Sequence, residues 1–377
     1  MGVLITGGAG FIGSHIALRL IEKGYDVTVL DNLLEQIHGY NPDKTSPQYK
    51  SIKEMVRFIK GDVCNKELLE EALKDADYVI HLAAETGTGQ SMYEIKRYVD
   101  VNIGGTALLL DILTNTKHYV KRVVVAESRA IYGEGKYYCS NCGDVYPNGR
   151  KDKDMAKGDF ECKCPKCGGR VKPVATTEES AIHPSSVYGI GKQVQGQLVH
   201  LVCKNIGVES VSLRYQNVYG PGQSLTNPYT GILSVFSSRI KNHKEINIFE
   251  DGFETRDFVY IDDAVEATIA GLEEPKANGK VFNVGTGVAT NVFTVAKTLC
   301  NYYGIEVPLK VSGNYRLGDI RHNFADITLS KNILHFSPKW TFDRGINQFT
   351  DWVNEQEFLT DNYEASLLEM KQKGLFK

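Results

Sequence analysis

The 377-residue sequence lacks any uninterrupted apolar run of the roughly 20 residues that a membrane-spanning helix needs. It also lacks an excess of charge of one sign. The 43 Lys and Arg residues face 46 Asp and Glu residues, whereas proteins that bind nucleic acids or membrane surfaces usually carry a basic excess. Hydrophobic residues make up 42% and charged residues 24%, so disorder or coiled coil over most of the chain is excluded. We therefore expect neither a membrane nor a nucleic acid as partner.

The first residues lack the basic segment of a signal peptide, and residues 3–6 already have the character of a buried strand. We therefore predict a cytoplasmic, reducing location. There, clustered cysteines indicate a metal site before they indicate disulfides. The chain has eight Cys, and five of them fall between residues 139 and 167.

The first half of the chain alternates short β-branched runs with amphipathic stretches, a pattern typical of a parallel sheet covered by helices on both faces. The predicted strands are 3–6, 26–30, 56–60, 78–82, 122–126, 209–214 and 281–284, and the predicted helices are 11–23, 66–75, 91–116 and 186–205. This periodicity disappears between about 134 and 175, where Lys, Asp, Gly and Cys dominate. We predict an α/β fold with a Rossmann-type doubly wound parallel sheet and an insertion.

A glycine-rich turn joins the first predicted strand to the first helix. Gly7, Gly10 and Gly13 leave room for backbone to approach a pyrophosphate, and the N-terminus of the helix offers N–H groups to that anion. Asp31 closes the second strand, where a carboxylate accepts from a ribose 2′-OH and repels a 2′-phosphate. The pattern therefore predicts NAD, not NADP. Asp62 follows the third strand and either binds the adenine amine or caps the next helix.

A Tyr-x-x-x-Lys pair begins the helix predicted at 186–205. Tyr188 and Lys192 are four residues apart and so share one helix face. A nearby ammonium and the positive nicotinamide of NAD lower the pKa of a tyrosine, which can then act as a base near neutral pH. Ser128 follows the fifth strand, at the carboxyl edge of the sheet where ligands bind. We predict these three residues to be catalytic.

Together these motifs resemble the extended short-chain dehydrogenase/reductase family, in its nucleotide-sugar epimerase and dehydratase branch. Further matching segments are 81–84, 102–106, 214–221, 256–263, 283–285 and 316–319. The resemblance implies an enzyme that uses NAD, a nucleotide-diphosphate sugar as substrate, and a homodimer formed through the helices at 91–116 and 186–205.

The resemblance also implies site residues. Besides the residues already named, it assigns to the cofactor Phe11, Ile12, Asn32, Val63, Leu82, Ala83, Ala84 and Asn102. It assigns to the substrate Thr86, Ser128, Arg129, Asn217, Arg256 and Arg316. Asn217 resembles the family's contact to the diphosphate, and Arg256 and Arg316 resemble its phosphate-binding arginines, with surface salt bridges as the alternative.

The predicted division of the chain follows from the same resemblance. Residues 1–214 form the NAD-binding domain, with part of 255–285 returning to it. Residues 215–254 and 286–377 form the nucleotide-sugar-binding lobe. Residues 134–175 form an inserted zinc ribbon.

The residues after Ser128 distinguish between the reactions of this branch, all of which begin with oxidation at sugar C4. In the dehydratases that this chain resembles, Thr-Asp-Glu stands at the places of residues 128–130. This chain has Arg129 and Ala130 in the places of the Asp and the Glu, and neither side chain can do carboxylate chemistry. A 4-epimerase remains, and residues 83–93 together with the insert most resemble enzymes that convert dTDP-L-rhamnose to dTDP-6-deoxy-L-talose for polysaccharides. A UDP-hexose 4-epimerase and a CDP-sugar 2-epimerase remain open, as do, less favoured, a dehydratase and a non-catalytic NAD-binding module.

The cysteine cluster contains two Cys-x-x-Cys-Gly turns, with 21 residues between Cys142 and Cys164. Four thiolates, from Cys139, Cys142, Cys164 and Cys167, close a tetrahedron with no open position, which predicts a structural zinc. A redox pair is the alternative, and Cys162 could replace Cys164. The role of the insert is open: a lid, a docking surface or a spacer at an oligomer contact.

Overall fold

The computed structural model describes residues 1–225, 227, 231–356 and 363–377. Its strands are β1 (Gly2–Thr6), β2 (Asp26–Asp31), β3 (Arg57–Lys60), β4 (Tyr78–His81), β5 (Arg122–Ser128), β6 (Tyr137–Cys139), β7 (Gly143–Val145), β8 (Lys172–Pro173), β9 (Glu209–Tyr215), β10 (Asn217–Tyr219), β11 (Ile246–Ile248), β12 (Thr255–Arg256), β13 (Phe258–Tyr260), β14 (Lys280–Val284), β15 (Thr290–Asn291), β16 (Leu309–Val311) and β17 (His322–Asn323).

The helices are α1 (Phe11–Glu22), α2 (Glu35–His38), α3 (Pro42–Thr45), α4 (Pro47–Ile52), α5 (Lys66–Leu73), α6 (Ile95–Tyr98), α7 (Thr106–Asn115), α8 (Asp152–Met155), α9 (Val187–Ile206), α10 (Ile232–Lys241), α11 (Ile261–Glu273), α12 (Val292–Tyr303), α13 (Thr328–Ile333), α14 (Phe342–Asn354) and α15 (Tyr363–Gln372). In the part of the chain that the structure describes, no helix is long and apolar enough to cross a membrane.

Seven parallel strands form the central sheet in the order β14-β9-β5-β4-β1-β2-β3. The direction of winding reverses between β1 and β4, which opens a crevice at the carboxyl ends of these strands. The edge strand β14 comes from the part of the chain predicted to return to the NAD-binding domain. The predicted doubly wound Rossmann-type sheet is confirmed.

Alternate side chains of the strands enter two hydrophobic cores, one on each face of the sheet. Ile5 of β1 packs in the core that includes α1 and α11, and Leu4 packs in the other, which includes α5, α7 and α9. Because both faces are covered, central strands such as β5 are hydrophobic at successive positions, as parallel strands should be.

The helix predicted at 91–116 is divided in the structure. A 3-10 turn occupies Gln90–Met92, α6 follows, and Val99–Gly105 forms a π-helical turn before α7. The prediction of one regular helix was therefore wrong. The wider turn places Asn102, which is fully buried, beneath the loop that follows β4.

Small sheets build the remainder of the molecule. β10 pairs with β13, β11 with β16, and β12 lies between β15 and β17, next to α10, α12 and α14. The insert folds as an antiparallel sheet in the order β7-β6-β8, with α8 beside it. Phe160 of the insert packs with Tyr315 of the C-terminal part, their ring centres 6.4 Å apart.

Candidate functional site

A cavity of about 460 Å³ opens at the carboxyl ends of β1, β2, β4 and β5. The glycine turn lies at one end, and the turn after β5 with the start of α9 lies at the other. Predicted site residues that line it are Gly7, Gly10, Phe11, Ile12, Gly13, Asp31, Asn32, Asp62, Val63, Leu82, Ala83, Ala84, Thr86, Ser128, Arg129, Tyr188, Lys192 and Asn217. Asn102, Arg256 and Arg316 do not line it.

The glycine turn is built so that no side chain fits. Gly7 has a φ of +69°, and a Cβ there would lie 2.8 Å from the backbone nitrogen of Ala83. A Cβ on Gly13 would lie 2.6 Å from the Gly7 carbonyl oxygen. Helix α1 begins directly after this turn, so its first N–H groups face the cavity and suit the pyrophosphate of NAD.

Asp31 is buried at the end of β2. Its Oδ2 accepts from the Ala9 N–H at 3.0 Å and its Oδ1 from the Leu33 N–H at 2.9 Å, while Nε2 of His38 lies 3.6 Å away. Burial raises the pKa of Asp31, while His38 and the two N–H donors oppose the shift. The carboxylate is thus held rigidly where it lines the cavity, and its bond to a ribose hydroxyl stays a prediction.

Asp62 does not cap the next helix. That cap is Asn65, whose side chain accepts from the Leu68 N–H at 3.0 Å. The carboxylate of Asp62 instead accepts from the Cys64 N–H and from the side-chain amide of Asn32. Both alternatives for Asp62 were open in the sequence, and the capping alternative is excluded.

Asn102 holds the loop after β4 in place through two hydrogen bonds. Its amide oxygen accepts from the Glu85 N–H at 2.7 Å, and its amide nitrogen donates to the Glu85 carbonyl at 3.1 Å. Residues 82–88 of this loop line the cavity. Asn102 therefore shapes the cavity wall without reaching the cavity.

Tyr188 lies in the first turn of α9, and the start of this helix presses against β5. Ser186 caps the helix by accepting from the Gly189 N–H at 3.1 Å. A Cβ at Gly189 would lie 2.7 Å from the Ala130 carbonyl, so the glycine brings Tyr188 beside Ser128. The Tyr-Gly-Ile-Gly-Lys sequence is therefore suited to close packing as well as to chemistry.

The pKa of Tyr188 depends on burial and on two neighbouring side chains. Burial raises it, while a hydrogen bond with Ser128 and the positive charge of Arg129 lower it. Lys192, which was predicted to lower it, donates to the Ala126 carbonyl at 2.9 Å. Burial lowers the pKa of Lys192 to about 8, against the attraction of Glu127. Arg129 is thus a cation whose charge favours ionisation of Tyr188.

Arg129 and Asn217 form a polar end of the cavity. The Nε of Arg129 donates to Oδ1 of Asn217 at 2.7 Å. Burial and the nearby charge of Arg256 lower the pKa of Arg129 to about 9, although Asp319 opposes this. The guanidinium groups of Arg129 and Arg256 lie close enough to repel each other. This end of the cavity therefore favours the binding of an anion.

Arg256 and Arg316 lie behind this polar end. Arg256 donates to Asp319 and to the carbonyls of Thr255, Ile320 and Arg321, which occupy both terminal nitrogens. Arg316 lies over the Phe249 ring, 4.8 Å from its centre. Direct phosphate contact by these two arginines stays a prediction, and Arg256 acts on the cavity through its charge.

Sequence reasoning missed several residues that line the cavity. Gln216 and Gln223 carry buried side-chain atoms with no hydrogen-bond partner within the described residues. Gln216 lies inside the matching segment 214–221, which could have indicated it; no sequence signal indicated Gln223. Two buried acids also line the cavity: Glu85 pairs with Arg97 at 2.6 Å, and Glu127 pairs with Arg214 at 2.8 Å.

The four predicted zinc ligands come together. Their sulfur atoms, from Cys139, Cys142, Cys164 and Cys167, lie within 4.8 Å of one another, and those of Cys139 and Cys167 are 3.6 Å apart. A tetrahedron with Zn–S bonds of about 2.3 Å has S–S edges of about 3.8 Å. This donor set fits a zinc ion.

Cys162 is not part of this cluster. Its thiol is buried beside Tyr137 and Glu134, and burial together with the Glu134 charge raises its pKa. The choice between Cys162 and Cys164 left open by the sequence therefore falls to Cys164.

The fold and this cavity define the chain as a dinucleotide-binding α/β protein with a Tyr-x-x-x-Lys pair at its switch point. The model of the NAD-dependent epimerase/dehydratase family matches residues 3–149 and 164–285, and the chain belongs to this family. The unmatched stretch 150–163 falls inside the insert.

Relatives support this placement over nearly the whole chain. A dTDP-L-rhamnose 4-epimerase of Burkholderia thailandensis is 37% identical, over 94% of this chain and 95% of the relative. The crystal structure of UDP-glucose 4-epimerase from Thermotoga maritima with UDP-glucose matches with a TM-score of 0.75 at 30% identity, covering 94% and 99% of the two chains. UDP-glucuronic acid 4-epimerase from Bacillus cereus, in complex with UDP-glucuronic acid and NAD, matches with a TM-score of 0.74 at 27% identity and the same coverage.

Proposed function

We propose that the protein is an NAD-dependent nucleotide-sugar 4-epimerase and that its substrate is dTDP-L-rhamnose, converted to dTDP-6-deoxy-L-talose for polysaccharide synthesis. The observation that carries the proposal is the meeting of Tyr188 and Ser128 in one cavity with the glycine turn. The 37% identity to a dTDP-L-rhamnose 4-epimerase supports the choice of sugar. The NAD in the matched Bacillus cereus structure supports the cofactor.

Each side chain has a definable task in this reaction. Tyr188 takes the proton of the sugar 4-OH and later returns it, and Ser128 holds the same oxygen through its hydroxyl. Lys192 holds the ribose hydroxyls of the cofactor. When bound, NAD accepts a hydride from C4 and gives it back. Arg129 and Asn217 hold the diphosphate, so the 4-keto sugar can turn and present its other face.

The ion pairs of the cavity argue against dehydration, the competing reaction of this family. Elimination of water needs a free acid and a free base near the sugar. The carboxylates at that end are Glu85 and Glu127, and both are bound to arginines. With Arg129 and Ala130 at the positions of the dehydratase acids, the cavity favours epimerisation.

We also propose a structural zinc held by the four clustered cysteines. Four sulfur ligands leave no position for a water or a substrate, so this ion stabilises the insert and takes no part in the reaction.

A substrate panel tests the proposed function. The purified protein is incubated with dTDP-, UDP-, GDP- and CDP-sugars and followed by NMR. We expect an equilibrium mixture of C4 epimers, formed fastest with dTDP-L-rhamnose. Loss of water with accumulation of a 4-keto sugar would contradict the proposal, as would no turnover of any sugar.

A further inference from the structure

Arg150 of the insert is buried against the C-terminal part of the chain. Its Nε lies 3.2 Å from Glu134, and its Nη1 lies 2.7 Å from Glu250. Nη1 also donates to the Phe160 carbonyl at 3.2 Å, and Nη2 donates to the Asp319 carbonyl at 2.9 Å. All the side-chain nitrogens of Arg150 therefore have protein partners, and one of these partners is the Asp319 carbonyl.

Asp319 is the centre of a cluster of arginines. Its Oδ1 accepts from Nη2 of Arg256 at 3.1 Å. Burial raises the pKa of Asp319, but the charges of Arg256, Arg316, Arg150 and Arg129 outweigh burial and lower it. The carboxylate therefore stays ionised among four cations, and it pairs directly with Arg256.

This cluster connects the insert to the cavity. Arg150 holds the Asp319 backbone, Asp319 holds Arg256, and the charge of Arg256 acts on Arg129, which bonds Asn217 at the cavity wall. The order of contacts runs from the insert to the place where the diphosphate is proposed to bind.

The insert is also held in place at a second point. Tyr315 donates to Oδ1 of Asp152 at 2.7 Å, and Lys377 donates to Oδ2 of the same residue at 2.6 Å. Two separate sets of contacts, one of them buried, favour a fixed support over a lid that opens and closes.

We propose that Arg150 is a positioning residue, through which the insert holds Asp319 and its arginines in the arrangement that binds the substrate diphosphate. This inference rests on the proposed function, because it assumes that the polar end of the cavity takes a nucleotide diphosphate. Arg150 lies in the stretch 150–163 that the family model does not match, so this support is an addition to the family's fold.

Two variants of Arg150 test the proposal. Arg150→Ala leaves Glu134 and Glu250 without their cation, and this variant can fail to fold. Arg150→Lys keeps the positive charge between these acids but cannot reach both the Asp319 and the Phe160 carbonyls. For Arg150→Lys we expect the Kd for dTDP and the KM for dTDP-L-rhamnose to rise about tenfold, the size of one lost charged hydrogen bond. We expect kcat and the Kd for NAD to change by less than about twofold.

Tyr315→Phe is the matched control, because it removes another hydrogen bond between the insert and the C-terminal part and leaves Asp319 untouched. It should keep the wild-type KM and dTDP affinity. Arg150→Lys with wild-type dTDP affinity and KM would overturn the inference, and so would an equal loss of NAD and dTDP binding, which indicates general damage. If the wild-type protein binds dTDP but epimerises no sugar, the proposed function fails, and dTDP affinity alone then decides the role of Arg150.

Discussion

At the scale of single residues, the balance of burial and charge determines the chemistry of Tyr188. A buried tyrosine resists ionisation, and here a hydroxyl and a guanidinium, from Ser128 and Arg129, oppose that effect. The sequence indicated Tyr188 and Ser128 through their motifs. It could not indicate that the charge of Arg129 acts on Tyr188 or that Lys192 donates to the Ala126 carbonyl, because both depend on how the folded chain orients these side chains.

Ser128→Ala tests this balance. The hydrogen bond with Ser128 lowers the pKa of Tyr188, so its loss raises that pKa. Because ionised Tyr188 is the proposed base, we expect the rising limb of kcat against pH to move to higher pH, with a fall in kcat of about 10² or more. The exposed Ser51→Ala is the control. An unmoved limb would show that Ser128 does not act on Tyr188.

Glu254→Gln tests a second buried residue, next to the arginine cluster. Burial raises the pKa of Glu254 to about 7, although Arg256 opposes the shift. The folded protein therefore binds this proton more tightly than the unfolded chain does. The stability that this provides is complete below about pH 4.5 and is lost as the pH rises through 7.

At pH 8 the buried negative charge of Glu254 lowers the free energy of unfolding. A neutral Gln side chain has no such effect. We expect Glu254→Gln to raise the free energy of unfolding at pH 8 by up to about 3 kcal/mol and to change it little at pH 4.5. Thermal melts at the two pH values measure this, with the exposed Glu179→Gln as control. An equal effect at both values would be evidence against a shifted pKa.

At the scale of secondary-structure elements, the sequence predicted the central strands to within one or two residues. Parallel strands buried on both faces carry hydrophobic runs, and glycine turns or capping residues mark their ends. The π-helical turn at Val99–Gly105 could not be predicted, because one extra residue in a turn scarcely changes the apolar pattern. Nor could the contacts of Arg150 with Glu250 and Asp319, since these residues lie 100 and 169 positions away in the chain.

The insert offers its own test, in the two turns that carry its cysteines. Cys164→Ser removes one of the four clustered sulfurs, so we expect bound zinc to fall from about one ion per chain to near zero. We also expect proteases to cut within 150–163, while NAD binding is retained. Metal analysis and limited proteolysis measure these effects.

Cys162→Ser is the matched control for the zinc ligands, because this cysteine lies outside the cluster. It should retain the metal and the resistance to proteases. Loss of zinc from Cys162→Ser together with its retention in Cys164→Ser would contradict the assignment of the ligands.

At the scale of the whole molecule, two neighbouring helical segments present apolar side chains to solvent. Ile95 and Val99 lie one turn apart in the segment that leads to α7, and Ile190 and Leu201 share a face of α9. Helix α6 and the π-helical turn that carry Ile95 and Val99 both pack beside α9. We propose this region as the interface of the homodimer that the family resemblance implies.

Leu201→Glu tests the dimer. Leu201 is 62% exposed in the single chain, and a buried unpaired charge at an interface is strongly unfavourable. We expect the variant to be a monomer in light scattering after size-exclusion chromatography, whereas the wild type is a dimer. Leu368→Glu, a comparably exposed residue of α15, should leave the mass unchanged. A monomeric wild type would refute the proposal.

The reaction in heavy water tests the central claim, inversion of C4 by hydride removal and return. The enzyme is incubated with dTDP-L-rhamnose in D₂O, and the product is analysed by NMR. A hydride that leaves C4 and returns to it does not exchange with solvent. We therefore predict a C4 epimer that keeps hydrogen at C4 and carries no deuterium at C3 or C5. Deuterium at any of these carbons, or no C4 epimer at all, would contradict the account.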